Sequence, residues 1–271
     1  MAVKELNGKV LTDYIKQRQA KLGRRLEAEG IKPKLAVVMT TDNPVIDSYV
    51  KMKRRYGREI GVDVEIQKVA QADLKSTIQT NNEDPDVHAM IIQLPLADES
   101  ETDEAVALVA SEKDVDGLGK NPDFDPATAT AILWLLSGYN IDLKGKKIAV
   151  IGQGRLVGEP LTKMFESGGN DVLKVDEFTE NPAEKVSQCQ IVVSATGVAG
   201  LIKNSWIAKE AVIIDAGTAG EGGKVVGDVS DEVRERQDIK AITPLKGGVG
   251  PLTVSALFEN TLQAASINAK D

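Results

Sequence analysis

Cysteine and histidine each occur once in this 271-residue chain, as Cys189 and His88. One cysteine cannot close an intramolecular disulfide. One histidine with no cysteine or second histidine beside it cannot build a zinc site of the usual kind. The expectation is a reducing, cytoplasmic setting, with Cys189 a buried small hydrophobe, His88 a strand-end residue and no bound metal. No apolar run approaches 18 residues and no secretory leader is visible, so no membrane span is expected. An excess of positive charge is also missing: 33 basic residues face 41 acidic ones, for a net charge of -8. Non-specific affinity for nucleic acid or an anionic membrane is thereby excluded, which leaves small molecules as the expected partners. Repeats with a period of 20 to 50 residues and low-complexity tracts are absent too.

What is present is a chain of ordinary globular composition, 42% hydrophobic and 27% charged, long enough for two medium domains. Apolar residues at helical spacing over 9–29 are followed by the strand-like run Leu35 to Met39. A helix over 45–60, an alternating strand over 62–66, a polar helix over about 71–82 and the buried strand Ala89 to Ile92 continue the pattern. Alternation of strand and helix predicts a mostly parallel sheet. The helix at 127–138 is apolar nearly all round and reads as a connector between lobes. Beyond it, strands are expected at 147–151, 171–175, 190–194, 211–215 and near 239–242, with a closing helix over 252–267. The predicted fold is α/β in two lobes: a substrate domain of residues 1–125 plus 252–271, and a Rossmann-type doubly wound parallel sheet over 126–251.

In mid-chain, Gly152-Gln153-Gly154-Arg155-Leu156-Val157-Gly158 lies between a strand-like run and a helix-like one. A tight strand-to-helix turn without Cβ atoms lets backbone N–H groups approach a pyrophosphate, whose charge is favoured by the helix N-terminus. The spacing is GxGxxxG rather than the commoner GxGxxG, so context must carry the assignment. The next predicted strand ends at Asp176 and Glu177, where a carboxylate would accept hydrogen bonds from an adenosine ribose and repel a 2′-phosphate. The alternative is that both acids merely end a strand in solvent.

In the first half, Tyr49 and Lys53 stand at i and i+4 and share one helix face. Gln93, followed by Leu94, puts a lone amide at the C-terminal end of a buried strand, where α/β sheets bind ligands. Asp114 and Asp116 stand two apart before Gly117, and only one of them is needed to turn the chain, which leaves the other to bind.

In these residues the sequence resembles the bifunctional methylenetetrahydrofolate dehydrogenase/cyclohydrolase family. The likeness runs through Tyr-x-x-x-Lys at 49–53, Gln-Leu-Pro-Leu at 93–96, Lys-Asp-Val-Asp-Gly at 113–117 and Val-Gly-x-Pro at 157–160. It continues through Ala195-Thr196-Gly197, Asp215-x-Gly217, Gly227-Asp228-Val229 and the late run from Gly247 to Thr253. The resemblance implies a cytoplasmic homodimer of one-carbon metabolism, on the supply side of purine biosynthesis. It implies oxidation of 5,10-methylenetetrahydrofolate with NADP or NAD, and hydrolysis of the methenyl product to 10-formyltetrahydrofolate, with the folate between the lobes. It also implies that Lys53 is the general acid/base, with Gln93 setting its protonation state, Tyr49 orienting the folate and Asp116 binding the amino-pyrimidine edge of the pterin. Leu94, Gly250 and Pro251 complete the implied substrate site. Gly152, Gln153, Gly154, Val157, Gly158, Asp176, Glu177, Thr196, Gly197 and Thr218 make up the implied cofactor site. Lys51, Arg54, Arg55 and Arg58 either attract a polyglutamate tail or form a solvated face.

The chain also departs from the family pattern. Gly152-Gln153-Gly154 stands where Gly-Arg-Ser is usual, and Asp176-Glu177-Phe178 where His-Ser-Arg or similar is common. Pro126-Ala127-Thr128-Ala129 replaces Pro-Cys-Thr-Pro, and Leu245-Lys246 replaces Val-Pro. The lost groups commonly serve NADP phosphates, so the acids that replace them favour NAD or a weakened dehydrogenase. The competing readings are a family member with one activity, a two-lobe amino-acid or shikimate-type dehydrogenase, and a non-catalytic nucleotide sensor.

Overall fold

The computed structural model describes residues 2–41, 44–217, 219–221 and 224–268. Its chain divides into two compact units, Asp13–Ala127 with Val254–Asp271, and Met1–Thr12 with Thr128–Thr253.

The chain opens with the two-residue strand β1 (Lys4–Glu5) and the long helix α1 (Gly8–Ala28). The first unit then alternates β2 (Lys34–Met39), α2 (Pro44–Ile60), β3 (Asp63–Lys68), α3 (Leu74–Glu83) and β4 (Ala89–Ile92), followed by the short α4 (Thr102–Ala107). Its sheet is parallel, ordered β3-β2-β4. Leu35 to Met39 and Ala89 to Ile92 are buried without a break, as a sheet covered on both faces requires. Ala36, Val38, Met90 and Ile92 pack with Leu74 and Ile78 of α3 and with Ala105 and Val106 of α4.

Helix α5 (Ala127–Gly138) leads to the second unit, which contains β5 (Lys147–Ile151), α6 (Gly158–Ser167), β6 (Asp171–Val175), α7 (Pro182–Val186), β7 (Ile191–Ser194) and β8 (Val212–Asp215). An antiparallel pair, β9 (Ala219–Glu221) and β10 (Lys224–Val226), then precedes α8 (Asp231–Arg234), β11 (Ala241–Ile242) and α9 (Val249–Asn268). The main sheet is parallel throughout, ordered β1-β11-β8-β7-β5-β6. From β5 the chain goes to β6 on one side and then to β7 on the other, so the strand order reverses between β5 and β7, the place where such sheets bind ligands.

Two expectations need amending. Residues 1–12 group with the second unit, because Lys4 and Glu5 pair with Ala241 and Ile242 as a sixth strand. A two-residue strand leaves too short an apolar pattern to be read from sequence. The closing helix begins at Val249 and carries Pro251 in its first turn, where proline gives up no hydrogen bond that the helix would use.

From Val254 onward α9 packs in the first unit. Phe258 stacks on Tyr56 with ring centroids 5.1 Å apart. Tyr56 Oη lies 2.7 Å from Gln19 Oε1 and 3.0 Å from Ser255 Oγ, while Gln19 Nε2 donates to the Ser255 carbonyl at 2.8 Å. Burial pushes the Tyr56 phenol up to about 12, so it stays a donor at any pH the fold survives. Tyr56→Phe should leave Gln19 Oε1 buried without that donor and destabilise the protein by about 1–3 kcal/mol, read from the urea midpoint.

Candidate active site

Helix α2 is buried along the line of Ile46, Val50, Tyr56, Gly57 and Ile60, and Tyr49 and Lys53 stand on the border of that face. Lys53 Nζ donates to Gln93 Oε1 at 2.8 Å. Gln93 follows the last residue of β4, and its orientation is fixed twice: its backbone N–H donates to Val38 O at 2.8 Å and its Nε2 to Leu94 O at 3.0 Å. The amide oxygen is thus held toward the ammonium. Tyr49 is 37% exposed and makes no hydrogen bond among the described residues, so its hydroxyl and ring are available to a ligand.

The segment Lys113 to Gly117 divides scaffold from reagent. Lys113 Nζ donates to the carbonyls of Asn81, Asn82 and Asp84 at 2.9, 2.9 and 2.7 Å, closing the C-terminal end of α3, where carbonyls lack helical partners. Asp114 folds the turn by accepting the N–H groups of Gly117 at 3.1 Å and Gly119 at 2.7 Å. Burial raises its pKa to about 6 in spite of those donors. Asn260 of α9 braces the same loop through Val115 O at 2.9 Å and Asp125 O at 3.0 Å. Gly117 sits at φ +69°, and a Cβ there would come 2.8 Å from Phe124 O. Asp116 is the carboxylate left over, and it faces Lys53 closely enough for the two charges to act on each other.

Burial lowers the pKa of Lys53, and the Asp116 carboxylate partly offsets the shift. Burial raises that of Asp116, offset by the Lys53 ammonium. Each charge is therefore held in a poorly solvated place by the other, and burial shifts Lys53 toward its amine form relative to a lysine in water.

In the second unit the glycine loop joins β5 to α6. Gly152 has φ +85°, and a Cβ on Gly158 would lie 1.7 Å from Gly152 O, so the strand-to-helix approach admits hydrogen only. Gly154 has open space around it. Val157 precedes α6 and no side chain caps the helix; Glu159 N–H donates to Gly154 O at 3.2 Å and Pro160 has none, which leaves the N–H of Gly158 in the first turn for an anion. The Gln153 side chain is committed inside the unit, with Nε2 donating to Val150 O at 2.9 Å and Oε1 accepting from Thr162 at 3.2 Å. Only its backbone remains for a cofactor. Asp176, directly after β6, accepts from Phe178 N at 3.1 Å and Thr179 Oγ1 at 2.8 Å, both on Oδ1. Glu177 is exposed, and Thr218 lies outside the described residues.

Two motif residues to which the sequence assigns no role, Asp215 and Asp228, form a buried cluster at the C-terminal ends of β7 and β8. Asp228 accepts from Ser194 Oγ and from the backbone N–H of Thr196, both at 2.7 Å on Oδ2. Asp215 accepts the N–H groups of Gly217 at 3.2 Å and of Asp228 and Val229 at 3.1 Å each, and pairs with Arg234. Burial raises the Asp215 pKa against those donors and the guanidinium. The signal in sequence is an aspartate ending the apolar run Ile213-Ile214. The cluster carries the Thr196-Gly197 turn, with Gly197 at φ +68°.

The predicted residues thus fall into groups. Lys53, Gln93 and Asp116 meet in the first unit with Tyr49 at their border; Gly152, Gly154, Val157, Gly158, Asp176 and the Thr196-Gly197 turn lie along the C-terminal ends of β5, β6 and β7 in the second. Gly250 and Pro251 lie in the first turn of α9. Lys51, Arg54, Arg55 and Arg58 are all exposed. Among the described residues no group of acids, histidines and cysteines could hold a metal ion, and no helix is long and apolar enough to cross a membrane.

Comparison with known proteins gives the same division. Residues 6–116 match the tetrahydrofolate dehydrogenase/cyclohydrolase catalytic domain, and residues 126–269 the NAD(P)-binding domain of the same proteins. The bifunctional protein FolD of Geotalea uraniireducens is 34% identical over 278 residues, covering 97% of this chain and 98% of that one. The crystal structure of the bifunctional enzyme FolD from Campylobacter jejuni superposes with a TM-score of 0.93 at 32% identity, covering 98% and 99% of the two chains. The Trypanosoma brucei enzyme, solved with NADP cofactor and an inhibitor, gives 0.92 at 28% identity over the full length of both. The chain belongs to the tetrahydrofolate dehydrogenase/cyclohydrolase family.

Proposed function

We propose that this chain oxidises 5,10-methylenetetrahydrofolate to the methenyl form and hydrolyses that product to 10-formyltetrahydrofolate. The single observation that carries the reading is the desolvated Lys53, hydrogen-bonded to Gln93 and faced by Asp116. Likeness over nearly the whole chain to relatives named bifunctional supports both activities. It also leaves the shikimate-type and sensor readings without support.

The residues present suit a nicotinamide dinucleotide. The uncapped α6, and a turn in which a Cβ on Gly152 or Gly158 would strike backbone, form a cradle for a pyrophosphate. Gly152, Gly154, Val157 and Gly158 would hold that group through backbone, Asp176 the adenosine ribose, and Thr196, Gly197 and Thr218 the nicotinamide end. When bound, the dinucleotide supplies the hydride acceptor. We assign NAD rather than NADP, because Asp176 and Glu177 would repel a 2′-phosphate and Asp176 keeps Oδ2 free to accept from a ribose hydroxyl.

Asp116 accepts from the amino-pyrimidine edge of the pterin, and Tyr49 supports the folate ring beside Lys53. Hydride loss from the methylene carbon releases no proton, so Lys53 has no part in that step beyond binding. Hydrolysis needs one. Water adds to the methenyl carbon while the Lys53 amine, held by Gln93 Oε1, takes one water proton; the ammonium gives it to N5 as the carbon–N5 bond breaks, and the remaining hydroxyl proton is released to solvent as the formyl C=O forms. We further assign a cytoplasmic homodimer formed through the second unit, whose sheet ends on β6, an unpaired edge with Val172 and Leu173 partly exposed.

Lys53→Met should lower methenyltetrahydrofolate hydrolysis by about 100- to 10,000-fold and leave hydride transfer within a few-fold. Equal loss of both activities would overturn the assigned role. The Lys53 ammonium is the influence that lowers the Asp116 pKa against burial, so the same variant should shift that pKa upward, which carboxyl-carbon NMR of the labelled protein would read. Asp176→Ser should reduce kcat/KM with NAD by about tenfold, the loss of a hydrogen bond to a charged group, and should not reduce it with NADP. A parent enzyme that turned over with NADP alone would overturn the NAD assignment.

A further inference from the structure

The order of the second sheet lays out a dinucleotide before any ligand is seen. The glycine loop leaves β5, and Asp176 leaves β6 on one side of it. If the adenosine lies over β6 and the pyrophosphate over β5, the nicotinamide half must extend to the other side of the switch point, over the ends of β7 and β8. Asp228 and Asp215 are fastened at those ends. Asp228 is fully buried, binds Ser194 of β7 and the N–H of Thr196, and has one carboxylate oxygen, Oδ1, with no hydrogen-bond partner among the described residues. That oxygen lies against Gly217, where a Cβ would come within 1.8 Å of it.

The charges at this place do not balance. Arg234 pairs with Asp215 and also donates to the carbonyls of Val229 and Thr243 at 3.3 and 3.0 Å. Among the described residues Asp228 receives only neutral donors, a hydroxyl and an amide N–H. Among those residues two carboxylates therefore stand against one guanidinium below the Thr196-Gly197 turn. A buried unpaired charge is costly unless something nearby answers it. The oxidised nicotinamide ring is a cation and the reduced ring is neutral, so they differ by the charge that this carboxylate would feel.

Resting on the dehydrogenase reading above, we propose that Asp228 makes the nicotinamide end of the site electronegative and so favours binding of the oxidised cofactor over the reduced one. Asp228 touches neither reacting carbon; it acts through the field it sets up and through the turn it holds.

Asp228→Asn removes the charge and keeps an oxygen for Ser194 and Thr196. Dissociation constants for NAD and NADH would be measured by calorimetry on the parent and the variant, with NADP and NADPH in parallel. The expected result is about tenfold weaker binding of the oxidised form with the reduced form unchanged, the scale of one charge acting through partly screened protein. Equal weakening of both forms, or no change in their ratio, would overturn the electrostatic role and leave Asp228 a purely structural residue. If the Asn variant does not fold, Ser194→Ala serves instead. It keeps the carboxylate and removes one of its two donors, so the ratio should be unchanged or should favour the oxidised form further. A fall in the ratio toward the reduced form would overturn the proposal. Failure of the parent to bind any of the four nucleotides has a different signature: it removes the dehydrogenase reading, and the inference falls with it.

Discussion

The candidate site of the first unit takes an ammonium out of water and compensates it only in part. Among the described residues the Lys53 ammonium has one hydrogen bond, to Gln93, and one facing carboxylate, that of Asp116. Either group alone would leave a buried charge uncompensated, and a fully coordinated ammonium would be fixed as a cation. Burial pulls the Lys53 pKa down, and the Asp116 carboxylate only partly restores it. Much of the first unit serves this end: β2 supplies the carbonyl that orients Gln93, the Asp114 turn presents Asp116, and α9 contributes Asn260 to steady that turn.

The second unit applies the same economy of charge differently. Its glycine loop offers backbone dipoles in place of side-chain cations, and Asp176 and Glu177 follow the end of β6. The Gln153 side chain illustrates how a departure is absorbed: turned inward, it ties β5 to α6, which is packing work and no contribution to ligand charge.

Most of the architecture was legible because it rests on long periodic stretches. The buried parallel strands announce themselves as unbroken aliphatic runs, and α2 as an amphipathic helix bearing Tyr49 and Lys53 on its border. The functional pairings were legible for another reason: Gln93 is a polar residue at the end of an apolar strand, and Asp116 is one carboxylate more than a turn requires. What escaped lacks either signal. β1 is two residues long, and its partner lies at the far end of the sequence. The small hairpin of β9 and β10 was missed although Gly222-Gly223 is a turn signal. Lys113 looks like a charged loop residue until the three carbonyls at the end of α3 are seen around it. Asp215 and Asp228 were visible as motif members, but their shared network depends on side chains and amides that only the folded sheet brings together.

The pairing of β1 with β11 also has a history in time. Lys4 is synthesised 237 positions ahead of its partner Ala241. At roughly 5–20 residues per second, the interval between the two is on the order of tens of seconds. During that interval the N-terminal segment has no sheet to join, and the β11 edge it will cover does not exist. The first unit also remains open until α9 emerges. A nascent chain halted before residue 241 would therefore lack both the β11–β1 edge of the second unit's sheet and the helix α9 that packs in the first unit, a state suited to chaperone binding or proteolysis rather than to catalysis.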